Sequence, residues 1–273
     1  MDAGAHPEPD AEAGRLNMDD TPLKVWFDRG GGLLRLRLAR PKANIIDAQM
    51  TGALDAALAA HLRQPGLKAV LLDHEGPNFS FGASVQEHLP ARCAPMLRRM
   101  HGLIVRMLVS PAPILVAVRG QCLGGGLELA AAGHLIFAAP DARLGQPEIK
   151  LAVFAPAASC LLPELVGQAR AVDMLLSGRS IDAKEAAAIG LVTTVAADPE
   201  AAALKYFDRY LAPLSASSLR YATAAARRGF AERVRSKLEA LEVMYLEGLM
   251  QTRDAVAGLE SFIEKRPAQW ENR

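Results

Sequence analysis

Two glutamates close to a run of glycines are the residues of this chain best suited to chemistry. Gly124, Gly125 and Gly126 precede Glu128, and Glu148 ends the segment Arg143-Leu-Gly-Gln-Pro-Glu148. Because glycine has no Cβ, a ligand oxygen can approach its main-chain N–H closely. Glutamate carboxyl groups can take up and release protons. The stretch therefore predicts main-chain donors for a negative charge beside two acid–base groups.

The elements around the glycines favour a loop at a helix N-terminus. The apolar run Ile114–Val118 predicts a strand before the loop, and Leu127–Ala132 contains good helix formers after it. First-turn N–H groups lack partners within a helix, and the helix dipole adds positive potential, so the loop has the outline of an oxyanion hole. The glycine spacing does not fit a dinucleotide-binding or P-loop motif.

The two glutamates are separated by an apolar segment, Leu135–Ala139, and a turn at Pro140-Asp141. Such a strand and turn can bring the chain back beside the loop where this segment starts. Taken alone, each glutamate also fits a structural role, because acidic residues in the first turn of a helix complement its dipole. The residue types alone leave both interpretations open.

Short apolar runs alternate with helical patterns along most of the chain, which favours an α/β fold. After Pro213 the pattern is almost entirely helical. The predicted strands include 33–38, 69–72, 114–118 and 135–139, and the predicted helices include 50–63, 94–109, 127–132, 219–228 and 232–251.

Composition indicates a soluble enzyme subunit. The chain has 273 residues, of which 51% are hydrophobic, and a net charge of +1, so nucleic acid is not expected as a partner. The basic cluster from Arg227 to Lys237 is interleaved with acidic and apolar residues, which favours a solvated helix face. Residues 1–20 are acidic and contain no apolar core, so we expect a disordered lead-in rather than a signal peptide. No segment is long and apolar enough to suggest a membrane span.

Cysteine and histidine patterns predict neither a disulfide framework nor a metal site. Cys93, Cys122 and Cys160 cannot all pair and show no C-x-x-C spacing, which favours a reducing, cytoplasmic location. The six histidines form no H-E-x-x-H motif, and the G-x-S-x-G nucleophile motif of hydrolases is absent from the sequence. His88 follows Gly82-Ala-Ser closely enough to border a substrate pocket, although we do not assign it a catalytic role.

The motif Gly-Gly-Gly-x-Glu-Leu-Ala followed by Leu-Gly-Gln-Pro-Glu resembles the signature of the enoyl-CoA hydratase/isomerase (crotonase) superfamily. The resemblance extends over about residues 22 to 268, and its further segments occur in the order found in that family. These segments are Arg40-Pro-Lys-Ala-Asn44, Phe79-Ser-Phe-Gly-Ala-Ser84, Ser177-Gly-Arg-Ser-Ile-Asp-Ala-Lys-Glu-Ala186 and the C-terminal Gly258-Leu-Glu-Ser-Phe262 with Glu264-Lys-Arg266.

The resemblance implies a crotonase (ClpP/crotonase-like) spiral of ββα units in residues 21–213 and a helical region that mediates trimerisation in residues 214–273. It also implies an oxyanion hole formed by the N–H groups of Ala83 and Gly125. By analogy, Glu128 takes a proton from water and Glu148 gives one to carbon. Coenzyme A would enter only as part of an acyl-CoA substrate, with no other cofactor, and the expected state is a homotrimer or homohexamer.

Further positions match the family's binding segments. The resemblance implies that CoA or the acyl group contacts Lys42, Ala43, Ile45, Gly82, Ser84, Gly124, Phe154, Phe262 and Lys265, the last two from a neighbouring subunit. Without the resemblance, Phe262 would equally be a core residue of a helix.

One departure from the family bears on the substrate. Where straight-chain hydratases have Pro-Gly-Ala-Gly-Gly, this chain has Phe154-Ala-Pro-Ala-Ala158, which predicts a bulkier, more apolar pocket wall. Core repacking behind the site is the alternative. The runs Glu148 to Ala158 and Phe81 to Pro90 resemble the members that hydrate cyclohexa-1,5-diene-1-carbonyl-CoA in anaerobic benzoyl-CoA degradation. The alternatives are a straight-chain enoyl-CoA hydratase of β-oxidation, an enoyl-CoA isomerase, and a non-catalytic RNA-binding or scaffold member.

Overall fold

The structure is a computed structural model that describes residues 21–273, so the lead-in expected at residues 1–20 lies outside the described part. The strands are β1 (Leu23–Asp28), β2 (Leu33–Leu38), β3 (Ala69–His74), β4 (Ile114–Val118), β5 (Gln121–Leu123), β6 (Leu135–Ala138), β7 (Arg143–Gly145), β8 (Ser180–Asp182) and β9 (Thr194–Val195). The α-helices are α1 (Ala48–His61), α2 (Pro90–Leu108), α3 (Gly125–Ala132), α4 (Pro156–Val166), α5 (Gln168–Ser177), α6 (Ala183–Ala188), α7 (Pro199–Tyr206), α8 (Ala216–Val243) and α9 (Arg253–Ile263).

The larger sheet has the strand order β1-β2-β3-β4-β6-β9. Its first pair, β1 and β2, is antiparallel, and the other neighbours are parallel. Parallel strands buried on both faces carry continuous apolar runs, and β4 is buried along its whole length. This mixed sheet with its surrounding helices confirms the predicted α/β class.

Alternate side chains of the central strands pack into two separate cores. Leu34 and Leu36 of β2 belong to the main core, which contains the apolar residues of α1 and α2. Leu33 of β2 and Leu71 of β3 face the other side, where they pack with Phe207 just after α7. The alternation follows from the two-residue side-chain period of a strand, and it packs the sheet between two layers of helices.

A small second sheet brings the two glutamate segments together. Its order is β5-β7-β8, and the parallel pairing of β5 with β7 places Leu123 opposite Gly145. The next residue on the first strand continues the pairing, because the N–H of Gly124 donates to the carbonyl oxygen of Gly145 at 2.9 Å. The strand and turn between the two glutamates therefore bring the chain back beside the glycine loop, as the sequence indicated.

The C-terminal part of the chain is helical, as predicted, but its helices begin and end at residues other than those predicted. The helix predicted at 219–228 and the first part of the helix predicted at 232–251 form one helix, α8, which accommodates Gly229. After Val243 the helix widens into a π-helical turn, Met244–Gly248. The chain then enters α9, which packs on the short 3-10 helices Val85–His88 and Pro147–Leu151. This packing places α9 over the segment that carries Glu148.

No helix among residues 21–273 is long and apolar enough to cross a membrane.

Candidate active site

A loop bearing free main-chain N–H groups lies at the N-terminus of α3. Gly124 precedes this helix in a left-handed conformation, with a φ of 51°. A Cβ on Gly124 would collide with Oε1 of Glu148. Glycine at this position therefore serves two purposes, since it permits the backbone turn and leaves room for a carboxyl group beside the loop.

The N–H groups of Ala83 and Gly125 are neighbours. A Cβ built on Gly125 would lie 3.1 Å from the Ala83 nitrogen. Within residues 21–273, neither N–H donates a hydrogen bond to the protein. Two adjacent unpaired main-chain donors, one at a helix N-terminus, suit an oxygen atom that acquires negative charge.

Ser80 holds the Ala83 side of this pair in place. Its buried hydroxyl donates to the carbonyl oxygen of Asn44 at 2.8 Å and accepts from the N–H of Gly82 at 3.0 Å. Gly82 has a φ of 108°, a conformation in which a residue with a Cβ is strained. Hydrogen bonds and the backbone conformation of Gly82 thus hold the loop that presents Ala83 in place before any ligand binds.

Glu128 lies in the first turns of α3 and is 7% exposed. Its Oε1 accepts a hydrogen bond of 2.8 Å from the N–H of Ala158, in the first turn of α4. Burial raises the pKa of Glu128 to about 7, and the N–H groups of Ala158 and Ala157 oppose this rise. The carboxyl group can therefore exchange a proton near neutral pH.

Glu148 belongs to the 3-10 helix Pro147–Leu151 and lies at the wall of a cavity, where protein surrounds most of its carboxyl group. Burial, together with the negative charge of Glu128, raises its pKa to about 8. Two carboxyl groups that interact in this way titrate as a pair. Around neutral pH, the pair holds one proton in one of its members and a negative charge in the other.

Gln146 contacts both oxygens of Glu148. When its amide is oriented to suit its neighbours, the NH₂ group donates to Oε2 at 2.9 Å and to Oε1 at 3.1 Å. The Gln146 side chain is 1% exposed, so its position is well determined by packing. Gln146 belongs to the motif Leu-Gly-Gln-Pro-Glu, but no role was predicted for it. Its position two residues before Glu148 was the signal available in the sequence.

A cavity of about 610 Å³ extends from the loop and from Glu148. Most of its lining is apolar, which suits a hydrocarbon acyl group. It is lined by Ile45, Phe81, Gly82, Ala83, Ser84, Val85, Gln86, His88, Leu123, Gly124, Pro147, Glu148, Lys150, Leu151, Val153, Leu259 and Phe262. Of the binding residues expected from the sequence, Ile45, Gly82, Ser84, Gly124 and Phe262 are therefore at the cavity.

Other expected binding residues occupy different places. The main chain of Lys42 and Ala43 supports the loop, because their carbonyl oxygens accept from Asn78 Nδ2 at 3.1 Å and from the Phe81 N–H at 2.9 Å. Lys265 is exposed after α9 and is not among the cavity-lining residues. Phe262 lines the cavity of its own chain, although the resemblance assigned it to a neighbouring subunit.

Phe154 is not part of the cavity wall. Its ring packs edge-on against Tyr245, with the ring centroids 5.2 Å apart. The following residues, Pro156 to Ala158, begin α4, and the N–H groups of Ala157 and Ala158 face Glu128. The structure thus agrees with the packing alternative for Phe154, and it gives the two alanines a role that was not predicted from the sequence. Proline at the first position of a helix was the available signal.

His88 borders the cavity, as the sequence suggested. Its Nδ1 donates to the carbonyl oxygen of Ser84 at 2.8 Å, and burial lowers its pKa, so the imidazole is neutral at neutral pH with Nε2 as a hydrogen-bond acceptor. Among the described residues, no group of three or more histidine, cysteine or acidic side chains is arranged to hold a metal ion.

Comparison with known proteins agrees with this geometry. The family model described as enoyl-CoA hydratase/isomerase matches residues 28–273. A cyclohexa-1,5-dienecarbonyl-CoA hydratase of Thauera aromatica is 65% identical over 253 residues, which cover 93% of this chain and 98% of that protein. A probable enoyl-CoA hydratase of Bacillus subtilis is 31% identical over 86% of this chain and 93% of its own length. The crystal structure of an enoyl-CoA hydratase from Mycobacterium avium subsp. paratuberculosis superposes with a TM-score of 0.81 at 25% identity, over 92% of this chain and 99% of that one.

Proposed function

The chain belongs to the enoyl-CoA hydratase/isomerase family, and we propose that it is a hydratase that adds water to cyclohexa-1,5-diene-1-carbonyl-CoA to give 6-hydroxycyclohex-1-ene-1-carbonyl-CoA. The reaction type is supported chiefly by the Glu148 carboxyl group and the Ala83 N–H group at an apolar cavity, with the buried Glu128 carboxyl group close to Glu148 and the free Gly125 N–H group beside Ala83. The ring substrate is supported by the 65% identity to the Thauera aromatica hydratase.

In the proposed reaction, the N–H groups of Ala83 and Gly125 bind the thioester carbonyl oxygen. When the oxygen of water forms a bond to a conjugated ring carbon, the displaced π electrons move toward this carbonyl and an enolate develops. Donors that are already in place lower the energy of the negatively charged oxygen without reorganising. The enolate then takes a proton at another ring carbon, so one water is consumed and no redox partner is needed.

We assign the base role to Glu128 and the acid role to Glu148. N–H groups of α4 face the carboxylate of Glu128 and stabilise its charged form, which opposes the rise of its pKa. The negative charge of Glu128 adds to burial in raising the pKa of Glu148. These surroundings favour placing the shared proton on Glu148. Glu128 removes a proton from water, and Glu148 delivers its own proton to carbon.

We further propose that the CoA part of the substrate leaves the cavity between Ile45 and Phe262, with Lys42, Ala43 and Lys265 nearer the nucleotide end. Ile45 and Phe262 both line the cavity, which supports this path. A cytoplasmic homotrimer or homohexamer is the proposed state. The three cysteines are buried and unpaired, as expected for a reducing compartment.

The test compares the purified protein on cyclohexa-1,5-diene-1-carbonyl-CoA and on crotonyl-CoA, with loss of the conjugated absorbance as the signal. We expect a higher kcat/KM on the ring substrate. Glu128→Gln and Glu148→Gln should each lower kcat by about 10²-fold or more, as is typical when an acid or base is removed. Glu247→Gln, at an exposed position, is the matched control. A clear preference for crotonyl-CoA would instead support a straight-chain hydratase.

A further inference from the structure

His88 places a hydrogen-bond acceptor at the wall of the mostly apolar cavity. It ends the 3-10 helix Val85–His88 and lines the cavity. Its Nδ1 lies 2.8 Å from the carbonyl oxygen of Ser84, and because a carbonyl oxygen can only accept, Nδ1 carries the hydrogen. Burial keeps the ring neutral at neutral pH by lowering the pKa of His88. Nε2 therefore has a lone pair and no hydrogen.

The Nε2 atom is available to a ligand. Among the described residues no group donates a hydrogen bond to it, and it is not one of the polar atoms that the surrounding protein closes off. A polar atom that is covered by a hydrocarbon group loses its hydrogen bonds to solvent, which costs free energy unless a new partner replaces them. An acyl-CoA with a donor at this place should therefore bind better than one without.

His88 lies close to the proposed position of the thioester carbonyl. Its ring is hydrogen-bonded to Ser84, and Ser84 directly follows Ala83, whose N–H group we assign to the thioester oxygen. One hydrogen bond and one peptide unit thus separate the imidazole ring from the oxyanion hole. The ring is held beside the part of the ligand that reacts.

The helix that carries His88 is also adjacent to the segment that carries Glu148. Leu89, the residue after His88, belongs to the same apolar cluster as Val153, which follows Glu148 by five positions. Helix α9 packs on both 3-10 helices, Val85–His88 and Pro147–Leu151. His88 and Glu148 therefore lie on neighbouring parts of one cavity wall.

Few groups of the ligand can donate to Nε2 at this position. The cyclohexadiene ring consists of carbon and hydrogen and has no hydrogen-bond donor. Two donors lie within a few bonds of the thioester carbonyl, namely the hydroxyl group of the hydrated ring and the amide N–H of the cysteamine unit of CoA. Every other donor of CoA lies further along the pantetheine arm or in the nucleotide.

We propose that His88 is a specificity-determining residue, and that its Nε2 accepts a hydrogen bond from one of these two donors of the bound acyl-CoA. This inference rests on the proposed hydration of an acyl-CoA. The bond to Ser84 fixes both the tautomer and the direction of the ring, so the acceptor is in place before the ligand binds. His88 thereby favours ligands that carry the donor over ligands of the same shape that lack it.

Two substitutions separate the two nitrogen atoms of His88. In His88→Asn the side-chain NH₂ group replaces Nδ1–H and can still donate to Ser84, but no acceptor remains at the place of Nε2. In His88→Gln the longer side chain can bring its amide oxygen to the place of Nε2. His61→Asn is the matched control, because His61 ends α1 and does not line the cavity.

Calorimetric binding to these variants in a Glu128→Gln background, which prevents turnover, gives the test. The ligands are 6-hydroxycyclohex-1-ene-1-carbonyl-CoA, cyclohex-1-ene-1-carbonyl-CoA, which lacks the hydroxyl group, and an analogue of the second ligand with an ester oxygen in place of the cysteamine N–H. We expect His88→Asn to weaken binding of a ligand that carries the donor by about 2-fold to 10-fold, the loss of one hydrogen bond. His88→Gln and His61→Asn should bind all three ligands with nearly unchanged affinity.

The pattern of losses identifies the donor. A loss for the hydroxylated ligand alone assigns the ring hydroxyl group, and an equal loss for the first two ligands that disappears with the ester analogue assigns the cysteamine N–H. Unchanged affinity for all three ligands, or a loss that persists with the ester analogue, would refute the proposal, since His88 would then only fill space.

The proposed function is tested separately. Any of these binding results can occur whether or not the protein turns over the ring substrate. If the protein with both glutamates hydrates crotonyl-CoA and not the cyclic dienoyl-CoA, the ring substrate is refuted. The same variants are then compared on 3-hydroxybutyryl-CoA, on butyryl-CoA and on the ester analogue of butyryl-CoA, with the same criteria.

Discussion

Replacing Glu148 by glutamine should make the folded protein more stable at alkaline pH while it removes activity. The fold raises the pKa of Glu148 from 4.5 to about 8 through burial and the charge of Glu128. A raised pKa means that the fold favours the protonated form. The stabilisation from that form is fully present below about pH 4.5, and it is lost as the pH rises through about 8. The glutamine variant cannot ionise and keeps its stability.

The magnitude follows from the size of the pKa change. Each pKa unit corresponds to about 1.4 kcal/mol, so holding Glu148 ionised at pH 9 costs on the order of 4 to 5 kcal/mol relative to its protonated form. At pH 5 Glu148→Gln and wild type should have similar free energies of unfolding. At pH 9 the variant should be more stable by a few kcal/mol, because local relaxation and water entry reduce the full figure.

Urea unfolding at one fixed protein concentration, repeated from pH 5 to pH 9, measures this difference. Fixed concentration matters because assembly contributes to apparent stability. Glu247→Gln is the control, and its curve should run parallel to that of the wild type, since Glu247 is exposed. If the Glu148→Gln curve also runs parallel to that of the wild type, Glu148 does not carry a raised pKa, and its assignment as the acid is refuted.

Three further predictions concern the same site. The profile of kcat/KM against pH should be bell-shaped, falling below about 7 as Glu128 is protonated and above about 8 as Glu148 loses its proton; steady-state kinetics from pH 5 to 10 will show it. Gly124→Ala should lower kcat by about 100-fold or more, as assayed by substrate absorbance, because the added methyl group displaces the Glu148 carboxyl group. Phe154→Leu should lower the free energy of unfolding by about 1 kcal/mol in urea titrations and leave KM for the ring substrate nearly unchanged, since the ring packs on Tyr245 outside the cavity.

The main strands could be predicted because their physical signal is local. A parallel strand buried on both faces is apolar at almost every position, so Ile114–Val118 was located to the residue. The strand Leu33–Leu38 was also located to the residue, because leucine occupies its four positions other than Arg35 and Arg37. The three-residue strands of the small sheet were missed, because so short a segment has no periodicity of its own. They form through pairing with one another, and that pairing depends on distant parts of the chain.

The C-terminal helix shows the opposite case, in which a local signal misled. Gly229 lowers helix propensity and divided the predicted region in two. In the structure α8 passes through it without a break, because burial of Val234 and Leu238 against the core outweighs the cost of one glycine. The π-helical turn after Val243 carries no recognisable sequence pattern, so it could not be predicted.

In the site, the two glutamates and their glycines could be found from spacing, whereas the groups that tune them could not. The proposed acid–base residues lie in one continuous motif, but Ala158 reaches Glu128 only after α4 has formed and packed against α3. The prediction that Phe154 forms the pocket wall depended on alignment alone. The direction in which its ring points is set by Tyr245, which lies about ninety positions further along the chain.

The two carboxyl groups can play different roles because their surroundings differ, although both belong to glutamates that protein largely surrounds. Glu128 faces main-chain N–H groups at the start of a helix, and these stabilise its charged form. Glu148 faces the negative charge of Glu128 and the side-chain amide of Gln146. An amide presents NH₂ to a carboxylate and, after rotation, C=O to a carboxylic acid. Gln146 can therefore support Glu148 both before and after it gives up its proton, whereas the fixed N–H groups at Glu128 favour only the charged form. The proposed division into base and acid thus follows from which partners can rotate and which cannot.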